Sequence, residues 1–339
     1  MFKIKKLAIT VTYLCQLQKK AMDYFYPIID KIIIILLLMG TGVLAKRLRL
    51  ISDQGEKDIS NLMMDIFWPA MIFHSITTTL TAEDIVLNIW LPISSFGIHL
   101  AGYLVGLAIC RLAGHQGDRR KIFLFFASLN NFFLMALPFA QLFLPKRGTA
   151  LLAVANLGSI ITLWTLGVFI IIGNPGYKKT IRNVCSPGLL ATVGGVLFVF
   201  TGANNFVPDP VIEILRTLGQ PTLIIGMIVA GTQIYKLGMK ALKFDAWNLQ
   251  VGLIRNILMP GLMLIAALLL RDHMTPEALV IFVLVAATPG SVNSVTLAMK
   301  YNSSASLAAE GVVFTHLLAV FTVPGYIALA DTLLDLSRT

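Results

Sequence analysis

The sequence is poor in charged residues, in cysteine and in recognisable catalytic motifs. Charged residues make up 13% of the 339 positions, about half the proportion usual in soluble domains. Its three cysteines, Cys15, Cys110 and Cys185, are far apart and form no C-x-x-C pair, so neither a metal knuckle nor a disulfide framework is indicated. The sequence contains no H-E-x-x-H, G-x-S-x-G or P-loop pattern, so nothing in it supports an enzyme, a metal site or an ATP-driven pump.

Apolar residues dominate instead, at 57% of the chain with a mean hydropathy of +0.80. This composition predicts an all-α integral membrane protein. Lys and Arg mostly mark the cytoplasmic side of such proteins, so the net charge of +10 is no argument for nucleic acid binding. A membrane span needs about 20 mostly apolar residues. The ten candidate spans are 27–45, 59–77, 87–110, 121–143, 149–172, 187–204, 211–235, 248–270, 277–299 and 306–330.

Basic residues are distributed unevenly among the loops that connect these spans. The loops after the odd-numbered spans hold fifteen Lys and Arg, whereas the other loops and the C-terminus hold five. This bias predicts a multi-pass protein of the inner (plasma) membrane with odd-numbered loops in the cytoplasm and both termini outside. The lysines of residues 1–21 oppose that orientation, and the apolar part of this segment is too short to span. We expect an interfacial or signal-like segment, or a translation start at Met22.

The spacing of four prolines indicates an internal repeat. Pro69 and Pro138 are 69 residues apart, and Pro221 and Pro289 are 68 residues apart. Five spans in each half would place the second half upside down relative to the first, as in many secondary transporters. The predicted divisions are an N-terminal extension (1–25), a first five-helix repeat (26–172), a cytoplasmic linker (173–186), a second inverted repeat (187–331) and a C-terminal tail (332–339).

Several short motifs carry a family resemblance over about residues 24–330. W-P-A-M-I-F in span 2, L-I-R-N-I-L-M-P-G in span 8 and A-A-T-P-G-S-V-N-S followed by K-Y-N in span 9 resemble the auxin efflux carrier family. That family includes the plant PIN carriers and bacterial transporters of malate, malonate and other organic anions. The resemblance implies ten transmembrane helices in two inverted five-helix repeats, with broken crossing helices 4 and 9, in a fold related to bile acid symporters. It also implies that spans 3–5 and 8–10 rock against the other four spans.

Polar residues near the expected breaks are the candidate substrate ligands. Amides and the free N–H groups of broken helices can hold a carboxylate without a fixed counter-charge. The alternative for the Asn and Ser side chains is hydrogen bonding between neighbouring helices. The candidate substrate-binding residues are Asn130, Asn131, Pro138, Pro289, Ser291, Asn293, Ser294 and Arg255.

Titratable residues inside the spans are rarer and suggest ion coupling. Arg255 would be costly to bury, by roughly 3 kcal/mol or more, unless an organic anion or Asp65 pairs with it or it snorkels to the surface. Asp65 and His316 are the candidates for proton or ion coupling. The alternatives are an interfacial position for Asp65 and, for His74, His99 and His316, hydrogen bonding between helices.

These observations predict a secondary transporter that moves a small organic anion by alternating access, with the substrate at the crossing of spans 4 and 9. We expect no cofactor, with proton or sodium coupling left open. The expected partners are the substrate and the lipid bilayer, with no nucleic acid and with homodimer formation left open. The competing classes are an anion channel and a non-transporting membrane sensor.

Overall fold

The computed structural model of the chain describes residues 33–34, 36–133, 135–172, 185–237 and 243–334. Its secondary structure within these residues is helical apart from one isolated bridge between Asn130 and Gly290. The N-terminal extension, including Met22, lies outside the described residues, as do most of the predicted linker and the end of the chain.

Thirteen helices cover most of the described residues, with one short 3-10 turn at Ala203–Phe206 between two of them. In chain order they are α1 (36–47), α2 (Asp53–Leu62 continued by Met63–Phe67 and Trp68–Thr79), α3 (Ala82–Ala113), α4 (Gly117–Ser128), α5 (Leu137–Phe143), α6 (Gly148–Ile172), α7 (Pro187–Thr201), α8 (Asp209–Gly219), α9 (Thr222–Leu237), α10 (Ala246–Leu270), α11 (Pro276–Ala287), α12 (Asn293–Lys300) and α13 (Ala305–Leu334).

Five helical segments of the described residues are long and apolar enough to cross a membrane. They are Ala82–Ala113, Gly148–Ile172, Asp209–Gln233, Ala246–Leu270 and Ala305–Leu334. Each coincides with a predicted span, and α7 and α11 are shorter apolar helices. The prediction of an all-α membrane protein is therefore confirmed for the described part of the chain.

Local sequence explains where several of these helices begin. The Thr81 hydroxyl accepts from the backbone of Asp84, whose carboxylate accepts from the Thr81 backbone, so a capping box starts α3. Ser186 and Thr275 cap α7 and α11 through their hydroxyls alone, which accept from the backbone N–H groups of Leu189 and Ala278, and each is followed by a proline in the first turn. Proline suits that position because its ring presets the helical φ and the missing N–H would have no partner.

The helices form two groups that meet along one face. In the first group, α2 packs against α7, α8 and α9. In the second group, α3 packs on α4 and α6, while α10, α11 and α12 pack on α13. The groups touch where α2 meets α6, where α7 meets α3 and α6, and where α9 meets α13. This division matches the two bundles that the resemblance implies.

Both helices expected to be broken are interrupted. The first segments, α4 and α11, are each 12 residues long, and each is followed by extended residues and then by a second helix. Pro289 lies inside its break, but Pro138 lies in the first turn of α5, beyond the break that follows α4. Aligning Pro138 with Pro289 is therefore wrong in detail, because a proline in a first helical turn starts a helix and does not break one.

Candidate functional site

The two breaks meet and satisfy each other's backbone. Asn130 and Gly290 form an antiparallel bridge. The Asn131 N–H donates to the Pro289 carbonyl at 2.8 Å, and the Ser291 N–H donates to the Leu129 carbonyl at 3.3 Å. A bilayer supplies no water to unpaired backbone groups, so irregular backbone at membrane depth needs such partners. The crossing thus joins the two halves of the chain through main-chain hydrogen bonds.

Side chains close around the crossing. Asn130 is fully buried, and its Nδ2 donates to the carbonyl of Val285 near the end of α11. The Gly290 N–H donates to the Thr315 hydroxyl at 3.2 Å. A Cβ atom at Gly290 would overlap the ring of Phe126, which shows how closely the α11 break approaches α4. The crossing is therefore a packed junction with little room for side-chain variation.

His316 of α13 lies beside the first break. Its Nδ1 is 2.8 Å from the Val312 carbonyl, and a carbonyl can only accept, so this nitrogen carries hydrogen. In the neutral ring Nε2 is then an acceptor, and the Asn131 Nδ2 lies 3.3 Å from it. The structure thus brings two of the predicted site residues together, one from each half of the chain.

A small cleft opens next to this pair. Leu36 and Met39 line it from α1, Met135 and Phe139 line it near the first break, and His316 lines it from α13. The remaining lining residues belong to α13 and are apolar. The cleft therefore lies between the first helix and the crossing, with an imidazole as its polar group.

The second break leads into α12, and three of the predicted residues lie there. Ser291 and Ser294 are buried, and the Ser294 hydroxyl has no hydrogen-bond partner within the part of the chain that the structure describes. Asn293 is the first residue of α12 and is exposed. Its N–H donates to the Ser291 hydroxyl at 3.3 Å. The N-terminal end of α12, which carries a partial positive charge, thus lies next to the crossing.

Arg255 is fully buried in the π-helical turn Leu253–Leu258 of α10. Its Nη2 donates to the Ala286 carbonyl, whereas no described residue is a hydrogen-bond partner of Nε or Nη1. The described residues include no ion pair to Arg255, and Asp65 is an exposed residue of α2. Snorkelling of Arg255 is ruled out by its burial, and the Asp65 pairing that the sequence allowed is not present.

Sequence reasoning missed two contributors to the crossing. Thr315 precedes His316 and holds the backbone of Gly290, while Phe126 packs against that glycine. The adjacent Pro-Gly pair was a usable signal, because a glycine beside a helix breaker often permits close backbone approach. Nothing in the sequence singled out Phe126 or Thr315, since aromatic and hydroxyl residues are common in membrane helices.

Membrane-crossing helices with two paired breaks at a polar junction define a multi-pass membrane protein of the transporter class. A family model described as "Membrane transport protein" matches residues 27–186 and 176–327, and the chain belongs to that family, the auxin efflux carriers. The uncharacterized transporter MJ1031 of Methanocaldococcus jannaschii is similar to it, with 24% identity over 241 residues. That match covers 68% of this chain and 76% of the relative.

Proposed function

We propose that this protein is a secondary transporter that moves a small organic anion by alternating access. The observation that carries the proposal is the cleft beside the crossing, with His316 in its wall and Asn131 in contact with that imidazole. The cleft lies between α1 and the group that contains the crossing, where a rocking motion of the two groups would open and close it.

The chemistry around the crossing suits a carboxylate. The amide of Asn131 offers N–H donors, and the N-terminal end of α12 adds a partial positive charge beside them. Asn293 is exposed at that helix end and belongs to the same proposed site. The other lining residues of the cleft are apolar and would contact the carbon skeleton of the substrate.

His316 offers a route to proton coupling. Its Nδ1 is occupied by the Val312 carbonyl, so a second proton can be added only at Nε2. Protonated Nε2 becomes a donor and can pair with a carboxylate instead of accepting from Asn131. A proton and a monovalent carboxylate would then cross together with no net charge. Sodium coupling is the alternative, because the carbonyl ends of broken helices commonly coordinate that ion in transporters.

The architecture proposed with this function is ten spans in two inverted five-helix repeats, residues 26–172 and 187–331. The equal lengths of α4 and α11 support it, as does the antiparallel meeting of their breaks. The excess of Lys and Arg in the odd-numbered loops supports an inner-membrane orientation with both termini outside.

The proposal is tested in two stages on the purified protein. A thermal-shift screen against mono- and dicarboxylates should find ligands that raise the unfolding temperature, because a ligand that binds the folded state stabilises it. The best ligand is then used in proteoliposomes, where a carrier exchanges labelled substrate for unlabelled substrate across the membrane. Trans-acceleration is the expected result. Flux without trans-acceleration would indicate an anion channel, and binding without flux would indicate a sensor.

A further inference from the structure

The two broken helices each end in carbonyl groups inside the membrane region. α4 ends at Ser128 and α11 ends at Ala287. The last carbonyls of a helix have no partner within that helix, and its C-terminal end carries about half a negative charge. In transporters with broken helices, such ends commonly coordinate a sodium ion or a proton. Each end at this crossing therefore needs a donor or a cation.

Arg255 supplies the charged donor to the end of α11, where the Asn130 amide also donates to the Val285 carbonyl. Its guanidinium is 0% exposed and donates Nη2 to the carbonyl of Ala286, the second-last residue of the helix. The neighbouring Asn256 donates its Nδ2 to the Thr315 carbonyl at 3.0 Å, which fixes this turn of α10 against α13. The π-helical turn Leu253–Leu258 presents both side chains inward, and such turns are frequent at functional sites.

His99 occupies the corresponding place at the end of α4. Its Nδ1 donates to the Ser128 carbonyl at 2.9 Å, and the Ser128 hydroxyl donates back to the His99 carbonyl at 2.7 Å. The donor precedes its acceptor by 29 residues in the first half of the chain and by 31 residues in the second. In each half, the helix before the broken helix caps its carbonyl end, with imidazole in one half and guanidinium in the other.

The surroundings of Arg255 show what its charge interacts with. Among the described residues no carboxylate forms an ion pair with it, and its Nε and Nη1 are buried without partners. A desolvated cation costs several kcal/mol in a membrane unless something of opposite charge offsets it. The negative end of α11 is the group that the guanidinium contacts.

We propose that Arg255 is a positioning residue that serves as the built-in cation of the crossing. It occupies the place where a bound metal ion would otherwise neutralise the carbonyl end of α11, and it thereby holds the second break in register with the first. The inference rests on the proposed transport function for its role, but the charge requirement itself can be measured without substrate. Removing the side chain should leave a cavity that needs a cation of the same shape.

Chemical rescue tests this directly in the full-length protein. Arg255→Ala should unfold at a lower temperature than wild type, and low-millimolar guanidinium chloride should raise that temperature. The same salt should leave wild type and the exposed-site control Arg111→Ala unchanged. Arg255→Met fills the space without a charge and should not respond to guanidinium. Arg255→Lys should transport better than Arg255→Met by about tenfold or more, the range expected for a hydrogen bond to a charged group.

Two outcomes would overturn the proposal. One is an Arg255→Met variant with wild-type stability and transport. The other is the absence of guanidinium rescue in Arg255→Ala together with equal stability and transport of Arg255→Lys and Arg255→Met. The Lys and Met variants can still be compared if Arg255→Ala does not fold. Thermal rescue without any counterflow by wild type would support the built-in cation and reject the transport function. Equal counterflow by wild type and by Arg255→Met would support the transport function and reject the built-in cation.

Discussion

The amide of Asn131 lies 3.3 Å from Nε2 of His316, which joins the break in the first half of the chain to the last helix of the second. His316 lines the cleft, and Asn131 contacts its imidazole. Each side chain could give up this hydrogen bond and form one with a ligand instead. A substrate carboxylate that enters this cleft would meet a polar pair already positioned by Val312 and by the backbone of Pro289.

Asn130 is expected to hold the crossing together and not to bind substrate. It is fully buried and donates to the Val285 carbonyl. Asn130→Ala should lower the unfolding free energy by about 1–3 kcal/mol, the usual cost of removing one partner of a buried hydrogen bond. Thermal unfolding in detergent measures the loss, with the exposed Asn205→Ala as the matched control. Equal stability of the two variants would contradict this role.

Gly290 is expected to tolerate no side chain. A Cβ there would overlap the ring of Phe126, so Gly290→Ala must push the α11 break away from α4. We expect overpacking to cost about 1–3 kcal/mol and to reduce transport. Gly325→Ala is the control, since a Cβ at that position of α13 meets no atom within 4 Å. Unfolding temperature and uptake are measured for both variants, and a neutral Gly290→Ala would show that the crossing is loosely packed.

Asp53 is expected to make the folded state less stable as the pH falls into the acid range. Hydrogen bonds from Lys46 at 2.7 Å and Lys236 at 2.9 Å, together with their charges, lower the pKa of Asp53 to about 2. A carboxyl with a lowered pKa stabilises the fold at neutral pH and loses that contribution as it becomes protonated. Asp53→Asn should therefore be less stable than wild type at neutral pH, and the difference should vanish as the pH falls from about 4 to about 2.

The contribution of the Asp53 ion pairs to stability can also be tested with added salt and with a control variant. The Asp53 side chain is 81% exposed, so added salt should narrow the difference between Asp53→Asn and wild type. Asp58→Asn changes a neighbouring exposed carboxylate that accepts from Gln54 and forms no ion pair among the described residues. A difference that stayed constant across pH and salt for Asp53→Asn would rule out the ion pairs as its cause.

Variants of His316 and Asp65 are expected to respond differently to a proton gradient. If His316 carries the coupled proton, His316→Gln should still exchange substrate at equal pH but lose its stimulation by an inward proton gradient. Asp65→Asn should keep that stimulation, because Asp65 is exposed on α2 away from the cleft lining. Uptake into proteoliposomes with and without a pH gradient measures both. Loss of the gradient effect in Asp65→Asn alone would assign the coupling to Asp65.

Hydropathy and proline placement predicted much of this architecture. Long apolar runs identify the membrane helices, and Pro289 with Gly290 identifies one break, because each feature is local in sequence. The position of the first break was less visible. It is set by the pairing of Asn130 with Gly290 across 160 residues, and Pro138 lies beyond it. The partner of Arg255 was also hidden, since a backbone carbonyl leaves no trace in the sequence.

The central claim is that a carboxylate binds at the crossing beside Asn131 and His316. The most direct measurement is the thermal stabilisation of Asn131→Ala by the best carboxylate from the screen, with Asn205→Ala as control and Asn293→Ala as the second site variant. We predict that wild type and Asn205→Ala are stabilised alike, and that both site variants fold but lose most of the stabilisation and the counterflow. Full stabilisation of Asn131→Ala and Asn293→Ala by the same ligand would contradict the account.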